Sequence, residues 1–129
     1  MTNIYELMDV TQSYGGRTVL EVPEMKIGKG SIVGITGPNG SGKSTLLRIL
    51  AFLERPVGGR VYFKGEPVID IDETLRREAT LLLQESKLLK RTVFENVAYG
   101  LKARGMKEGI SRKVNQTLEM VGLDPVDFA

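Results

Sequence analysis

The sequence predicts an α/β fold: an antiparallel β region, then a core built around a glycine-rich turn, then the start of a helical segment. Three observations predict it. Gly37-Pro38-Asn39-Gly40-Ser41-Gly42-Lys43-Ser44-Thr45 has the spacing G-x-x-x-x-G-K-S/T and stands between a β-branched apolar run and an apolar helix-forming run. Two strand-like stretches joined at Gly15-Gly16 precede it. From Thr92 onward the apolar residues recur at three- and four-residue spacing.

Ile4 to Tyr14 mixes apolar and polar residues as a half-exposed strand, and Gly15-Gly16-Arg17 makes a turn. Thr18 to Ile27 reads as a returning strand broken by Pro23, after which Gly28-Lys29-Gly30 turns the chain again. Ser31 to Thr36 is short and rich in β-branched residues, the pattern of a buried strand. Thr45 to Leu53 is helix-forming and apolar on most of its circumference, which predicts a largely buried helix.

Farther on, Glu54 to Gly59 is a loop, Arg60 to Lys64 a short strand and Gly65-Glu66-Pro67 a turn. A brief helix is expected from Asp72 or Glu73 to Arg77, and a continuous apolar strand from Ala79 to Leu83. A helix follows Thr92, a cap with Glu95 three residues on, and carries Val93, Phe94, Val97, Ala98 and Leu101. A second runs from about Ser111 to Val121, stopped by Gly122.

The glycine loop is a phosphate-binding motif because each residue type has a physical task. Gly37, Gly40 and Gly42 permit backbone dihedrals closed to other residues and let successive N–H groups approach phosphate oxygens. The helix that opens at Gly42 to Ser44 adds unsatisfied N–H groups and the positive end of its dipole. Lys43 is expected to place a compact ammonium on the β- and γ-phosphates, Ser44 to ligate Mg²⁺, and Thr45 to hydrogen-bond the α-phosphate. Pro38, Asn39 and Ser41 complete the loop. With a strand before it and a helix after it, the motif implies a P-loop NTPase core.

Composition excludes other chemistries. The 129 residues are 41 % hydrophobic and 26 % charged, ordinary for a globular domain. A net charge of +2 argues against a nucleic-acid partner, and Lys102, Arg104, Lys107, Arg112 and Lys113 read as a solvated helix face. Cysteine is absent, which removes disulfides and thiolate metal sites, and histidine is absent, which removes imidazole catalysis. No leader segment opens the chain and no apolar stretch reaches membrane-spanning length, so a soluble chain facing the cytoplasm is expected.

Taken in order, these motifs resemble the ATP-binding subunit of an ABC transporter, over the whole chain. Gly37 to Thr45 matches that family's Walker A motif, and Glu54 to Val61 with Gly65 resembles the stretch after the Walker helix. Leu81-Leu82-Leu83-Gln84-Glu85 resembles its Q-loop, and Leu88 to Val97 the start of its helical subdomain. The resemblance implies that Tyr14 stacks on adenine with Val19 beside the base, and that Gln84 reaches Mg²⁺ and the attacking water. An amide can serve both metal and water without changing charge. It implies a single partial nucleotide-binding domain over 1–129, divided into a β region and P-loop core (1–90) and a helical start (91–129).

By the same resemblance the partners are a transmembrane permease, met through Gln84 to Val97, and a second nucleotide-binding subunit. The assembled protein would lie peripherally at the inner face of the membrane. Asn96-Val97-Ala98-Tyr99-Gly100-Leu101 is similar to importers of small solutes, with a leaning toward oxyanions such as tungstate, molybdate or phosphate.

The family's pattern continues with a Leu-Ser-Gly-Gly-Gln signature, a Walker B Asp with a catalytic Glu, and a switch histidine, none of which occurs in these 129 residues. Glu85 follows Gln84 in a loop and is assigned no catalytic role. The expectation is therefore a chain truncated before the signature that binds ATP and Mg²⁺ without hydrolysing it efficiently. The alternative is a non-catalytic nucleotide-binding or interaction fragment. In the family, later strands lie between those of Ser31 to Thr36 and Ala79 to Leu83, so both are expected to have unpaired edges and the chain to be marginally stable. A small-molecule kinase or GTPase could share the loop, but no Asn-Lys-x-Asp guanine motif is present.

Overall fold

The computed structural model describes residues 2–128. They fall into two compact units that divide between Leu82 and Leu83.

The first unit is organised by a four-stranded antiparallel sheet in the order β2-β1-β3-β4, made by β1 (Asn3–Tyr14), β2 (Arg17–Gly28), β3 (Gly58–Phe63) and β4 (Glu66–Pro67). β1 is central, paired to β2 on one side and to β3 on the other. β2 does not break at Pro23, contrary to the sequence-based expectation. It is an edge strand, where a residue without an N–H costs no ladder bond.

β1 changes face at Asp9, whose φ is 50°, and the pairing with β3 shifts register between Met8 and Thr11. Leu7 and Val10, at odd spacing, are therefore both fully buried. Gly59 makes room for this irregularity, since a Cβ there would lie 2.3 Å from the Asp9 carbonyl oxygen.

α1 (Lys43–Leu50) lays Leu46 and Ile49 on the sheet, where they meet Leu7, Val10, Leu20, Val22 and Val61. Thr45, Leu46, Ile49, Ala51 and Phe52 are buried, as expected of a largely buried stretch, while Leu47 and Leu53 are exposed on the opposite side. The helix ends in a Schellman turn, with the Phe52 amide donating to the Ile49 carbonyl (3.1 Å) and the Leu53 amide to the Arg48 carbonyl (2.9 Å). The left-handed residue of that turn is Phe52, φ 57°, where glycine is usual. Its ring offsets the strain by packing edge-on to Phe63 (5.0 Å) and stacking near Tyr5 (5.9 Å), while the Tyr5 hydroxyl donates to the Leu50 carbonyl (2.8 Å).

Two expected buried strands are absent. Ser31 to Thr36 and Ala79 to Leu83 lie outside any ladder, and Ile32, Val33, Leu82 and Leu83 are exposed. The composition of a strand buried on both faces does not make a strand unless neighbours supply its hydrogen bonds, and no described segment pairs with either. Between them, α2 (Glu73–Arg76) is the expected brief helix, capped by the Asp72 carboxylate accepting from the Leu75 amide (2.7 Å).

The second unit is a helix pair, α3 (Val93–Ala103) and α4 (Ile110–Met120). Ala98, Val114 and Leu118 are its buried centre, flanked by Phe94, Val97, Leu101, Ile110 and Phe128. α3 opens on the expected capping box: the Glu95 amide donates to Thr92 Oγ1 (3.1 Å) and the Thr92 amide to the Glu95 carboxylate (3.0 Å). α4 closes on Gly122, φ 79°, with the Leu123 amide reaching back to the Leu118 carbonyl (2.9 Å). Among the described residues no helix is long and apolar enough to cross a membrane.

Candidate functional site

The glycine loop runs into α1 in the first unit. Ser41 donates its amide to the Pro38 carbonyl (3.2 Å), which curls the loop. Gly42 is the N-cap, φ 92°, and a Cβ at that position would lie 2.5 Å from the Val19 carbonyl oxygen. β2 and the loop thus touch at a point where only glycine fits, and this contact sets Val19 beside the loop. Gly37 is close-packed too: a Cβ there would meet Ser41 Oγ at 2.8 Å.

Lys43 folds back over the loop. Its ammonium donates to the Gly37 carbonyl (2.6 Å), the Pro38 carbonyl (2.8 Å) and Ser41 Oγ (3.4 Å). The positive charge therefore stands on the loop's own carbonyls. α1 begins with no side-chain cap and no acidic residue in its first turn, so its opening N–H groups and dipole are uncompensated. Pro38, Asn39, Gly40, Ser41 and Ser44 are exposed around this end, whereas Thr45 is buried and its Oγ1 accepts from Arg48 (3.5 Å). This end of the helix therefore presents its opening amides, one ammonium and the exposed Ser44.

Tyr14, at the end of β1, is 45 % exposed, and its hydroxyl donates to the carboxylate of Glu54. The same carboxylate accepts from Gln12 Nε2 (2.5 Å) and Arg48 Nε (3.1 Å), and Gln12 Nε2 also donates to the Arg55 carbonyl (2.8 Å). Burial pushes the Glu54 carboxyl up, but the hydrogen bonds from Tyr14, Gln12 and Arg48 outweigh it and leave the group below the ordinary carboxylate value. The neighbouring Tyr14 hydroxyl and Glu54 carboxylate in turn raise the Arg48 guanidinium.

A carboxyl with a depressed folded pKa stabilises above its unfolded value of about 4.3, and that contribution is lost as pH falls through the folded pKa. Glu54→Gln, which mimics the protonated group, is therefore expected to melt below wild type at pH 7, with the gap narrowing as pH falls below the ordinary carboxylate value. Thermal unfolding across that range checks this, and a gap independent of pH would exclude the assigned ionisation.

Gln84 lies at the start of the second unit, exposed in a bend. In that unit Asn96 fixes the chain entering α3. Its Oδ1 accepts from the Leu89 amide (2.8 Å) and its Nδ2 donates to the carbonyls of Leu89 (3.1 Å), Arg91 (3.2 Å) and Thr92 (2.9 Å). Gln12, Arg48 and Glu54 have no place in the sequence-based site, and Asn96 enters it only as part of the stretch expected to meet a permease. The one available signal was Gln12, a polar residue on the inward face of a strand otherwise carrying Val10, and it is only 3 % exposed. Two grooves of about 520 and 540 Å³ lie away from the loop, one along Ile49, Phe52, Val61 and Val68, the other beside Phe63, Ile69 and Leu75. No cluster of acidic, cysteine or histidine residues able to hold a metal occurs among the described residues.

A glycine loop at an uncapped helix N-terminus, crossed by a lysine and preceded by an antiparallel sheet, marks a P-loop nucleotide-binding fold. Residues 20–127 match the family model described as ABC transporter, and the chain belongs to that family. Tyr14 and Val19 precede the matched stretch.

The chain is 39 % identical over 117 residues to the tungstate uptake system ATP-binding protein of Peptoclostridium acidaminophilum, covering 90 % of this chain and 53 % of that protein. It is 37 % identical over 123 residues to the Fe(3+) ions import ATP-binding protein of Photorhabdus laumondii, covering 94 % of this chain and 35 % of the relative. The dimeric post-hydrolysis structure of an ATP-binding cassette bound to ADP and Pi superposes with a TM-score of 0.80 at 32 % identity, covering 97 % of this chain and 60 % of that one. The chain thus spans about half or less of the length of these curated relatives. The fold is that of an ABC-type P-loop ATPase domain, over part of its length.

Proposed function

We propose that these residues are the nucleotide-binding part of an ABC transporter's ATP-binding subunit, one that couples ATP binding and hydrolysis to solute import in the intact protein. The observation that carries the reading is the Lys43 ammonium held over the loop at the uncompensated N-terminus of α1. That arrangement suits a triphosphate: amides for its oxygens, a point charge for its β- and γ-phosphates.

Gly37 to Thr45 would cradle the phosphates, and Tyr14 and Val19 would meet the adenine. Ser44, whose hydroxyl is accessible at the loop, would supply one oxygen to Mg²⁺, an ion that commonly takes few protein ligands beside substrate phosphates. Gln84 would be the second protein group toward that ion and the attacking water. The tungstate relative and the leaning of Asn96 to Leu101 favour an oxyanion as the imported solute. Partners would be a permease, met through Gln84 to Val97, and a second ATP-binding subunit, with the assembly at the inner face of the membrane.

A polypeptide of these 129 residues holds the binding groups without a Walker B Asp, catalytic Glu or switch histidine. Phosphoryl transfer depends on such charge placement. Titration with a fluorescent ATP analogue is expected to show saturable binding that strengthens with Mg²⁺ and is displaced by ATP better than by GTP, with phosphate release at background. Binding indifferent to Mg²⁺, or equal displacement by GTP, would overturn the assignment.

A further inference from the structure

We propose that Glu54 is the positioning residue for the base-facing tyrosine, fixing Tyr14 to the far end of the helix whose near end holds the phosphates. The inference rests on the reading of Tyr14 as the adenine-stacking side chain and extends it.

Tyr14 needs such a tether. Its ring belongs neither to the apolar cluster under α1 nor to the Tyr5, Phe52 and Phe63 group, and it is nearly half exposed. A ring outside the apolar clusters and nearly half exposed samples several rotamers, and ordering it on a ligand carries an entropic cost. The bond from its hydroxyl to Glu54 restricts that freedom in advance.

Glu54 is itself held from two directions, by Gln12 from the same strand as Tyr14 and by Arg48 from α1. Its side chain is 20 % exposed, so the carboxylate is a fixed acceptor rather than a solvated one. α1 starts at Lys43 and leads directly to the turn before Glu54. One carboxylate therefore links the tyrosine to the phosphate helix and sets the spacing between the two ends of the nucleotide.

The test separates base from phosphate. Mg·ATP and Mg·tripolyphosphate are titrated against wild type, Glu54→Gln, Tyr14→Phe, Tyr14→Ala and the double variant Tyr14→Phe/Glu54→Gln. Base stacking supports a loss of roughly fivefold to a hundredfold for Tyr14→Ala. Glu54→Gln and Tyr14→Phe are each expected to lose about threefold to tenfold for ATP, with the double variant no worse than either. Tripolyphosphate affinity is expected to be unchanged in Glu54→Gln.

Equal losses for ATP and tripolyphosphate in Glu54→Gln would mean that Glu54 merely supports the fold, and additive losses in the double variant would mean that the two residues act separately. Either overturns the proposal. Wild-type ATP binding by Glu54→Gln and Tyr14→Phe alongside a loss in Tyr14→Ala overturns the tether and leaves the stacking role standing. Wild-type binding by Tyr14→Ala overturns both. Should Glu54→Gln fail to fold, Tyr14→Phe removes a single hydroxyl and carries the test alone.

Discussion

Lys43→Ala is expected to lower the affinity for Mg·ATP by about tenfold to a hundredfold, from the roughly 1.5–3 kcal/mol attached to a hydrogen bond with a charged group. The ammonium already lies against the Gly37 and Pro38 carbonyls of the loop proposed to hold the phosphates. Lys43→Arg is expected to fall short of wild type as well, because a planar fork does not fit where a compact charge bonds two adjacent carbonyls. Titration of the three proteins with a fluorescent ATP analogue decides the matter. Equal affinity of Lys43→Ala and wild type would remove Lys43 from the site.

The other large effect is expected at Gly42. An alanine there would need φ near +92° and would bring its Cβ to 2.5 Å from a backbone oxygen of Val19 and 3.2 Å from Leu20 Cδ1. The left-handed conformation alone costs about 1–2 kcal/mol for a residue with a side chain. The clash adds to it, since neither the edge of β2 nor the start of α1 can move without disturbing Leu20 and Leu46 in the core. Gly40 provides the comparison: its φ is +82°, but nothing lies within 4 Å of its Cβ position. Gly42→Ala is thus expected to lower both Tm and ATP affinity well beyond Gly40→Ala. Indistinguishable melts for the two variants would show that the contact with Val19 is not rigid.

The readable parts of the molecule were those whose cause is local in the chain. The hairpin at Gly15-Gly16, the Thr92–Glu95 capping box and the Gly122 stop each depend on residues a few positions apart, and each forms as expected. Ser31 to Thr36 failed for the opposite reason: a strand is a property of a pair, and its composition says nothing about whether a partner is at hand. Pro23 misled because edge position is set by the sheet order and not by the strand's own residues.

The Tyr14, Gln12, Arg48 and Glu54 cluster was invisible because its contacts join positions some forty residues apart, as between Gln12 and Glu54. No helical or strand period connects them. Tyr14 could be singled out by its place in a motif, but what its hydroxyl touches could not.

The unequal size of the two apolar centres bears on how the chain opens. β1 is hydrogen-bonded along both edges and backed by Leu46 and Ile49, whereas α3 and α4 are held together through Ala98, Val114 and Leu118 with a partly covered fringe. Cooperative units with few buried contacts unfold locally at small free-energy cost while better-packed ones stay closed. The backbone amides of the helix pair are therefore expected to exchange with solvent deuterium before those of the central strand, as hydrogen–deuterium exchange would show. The segment proposed to meet a membrane partner leads into that pair, whereas the helix proposed to hold the phosphates is backed by the sheet.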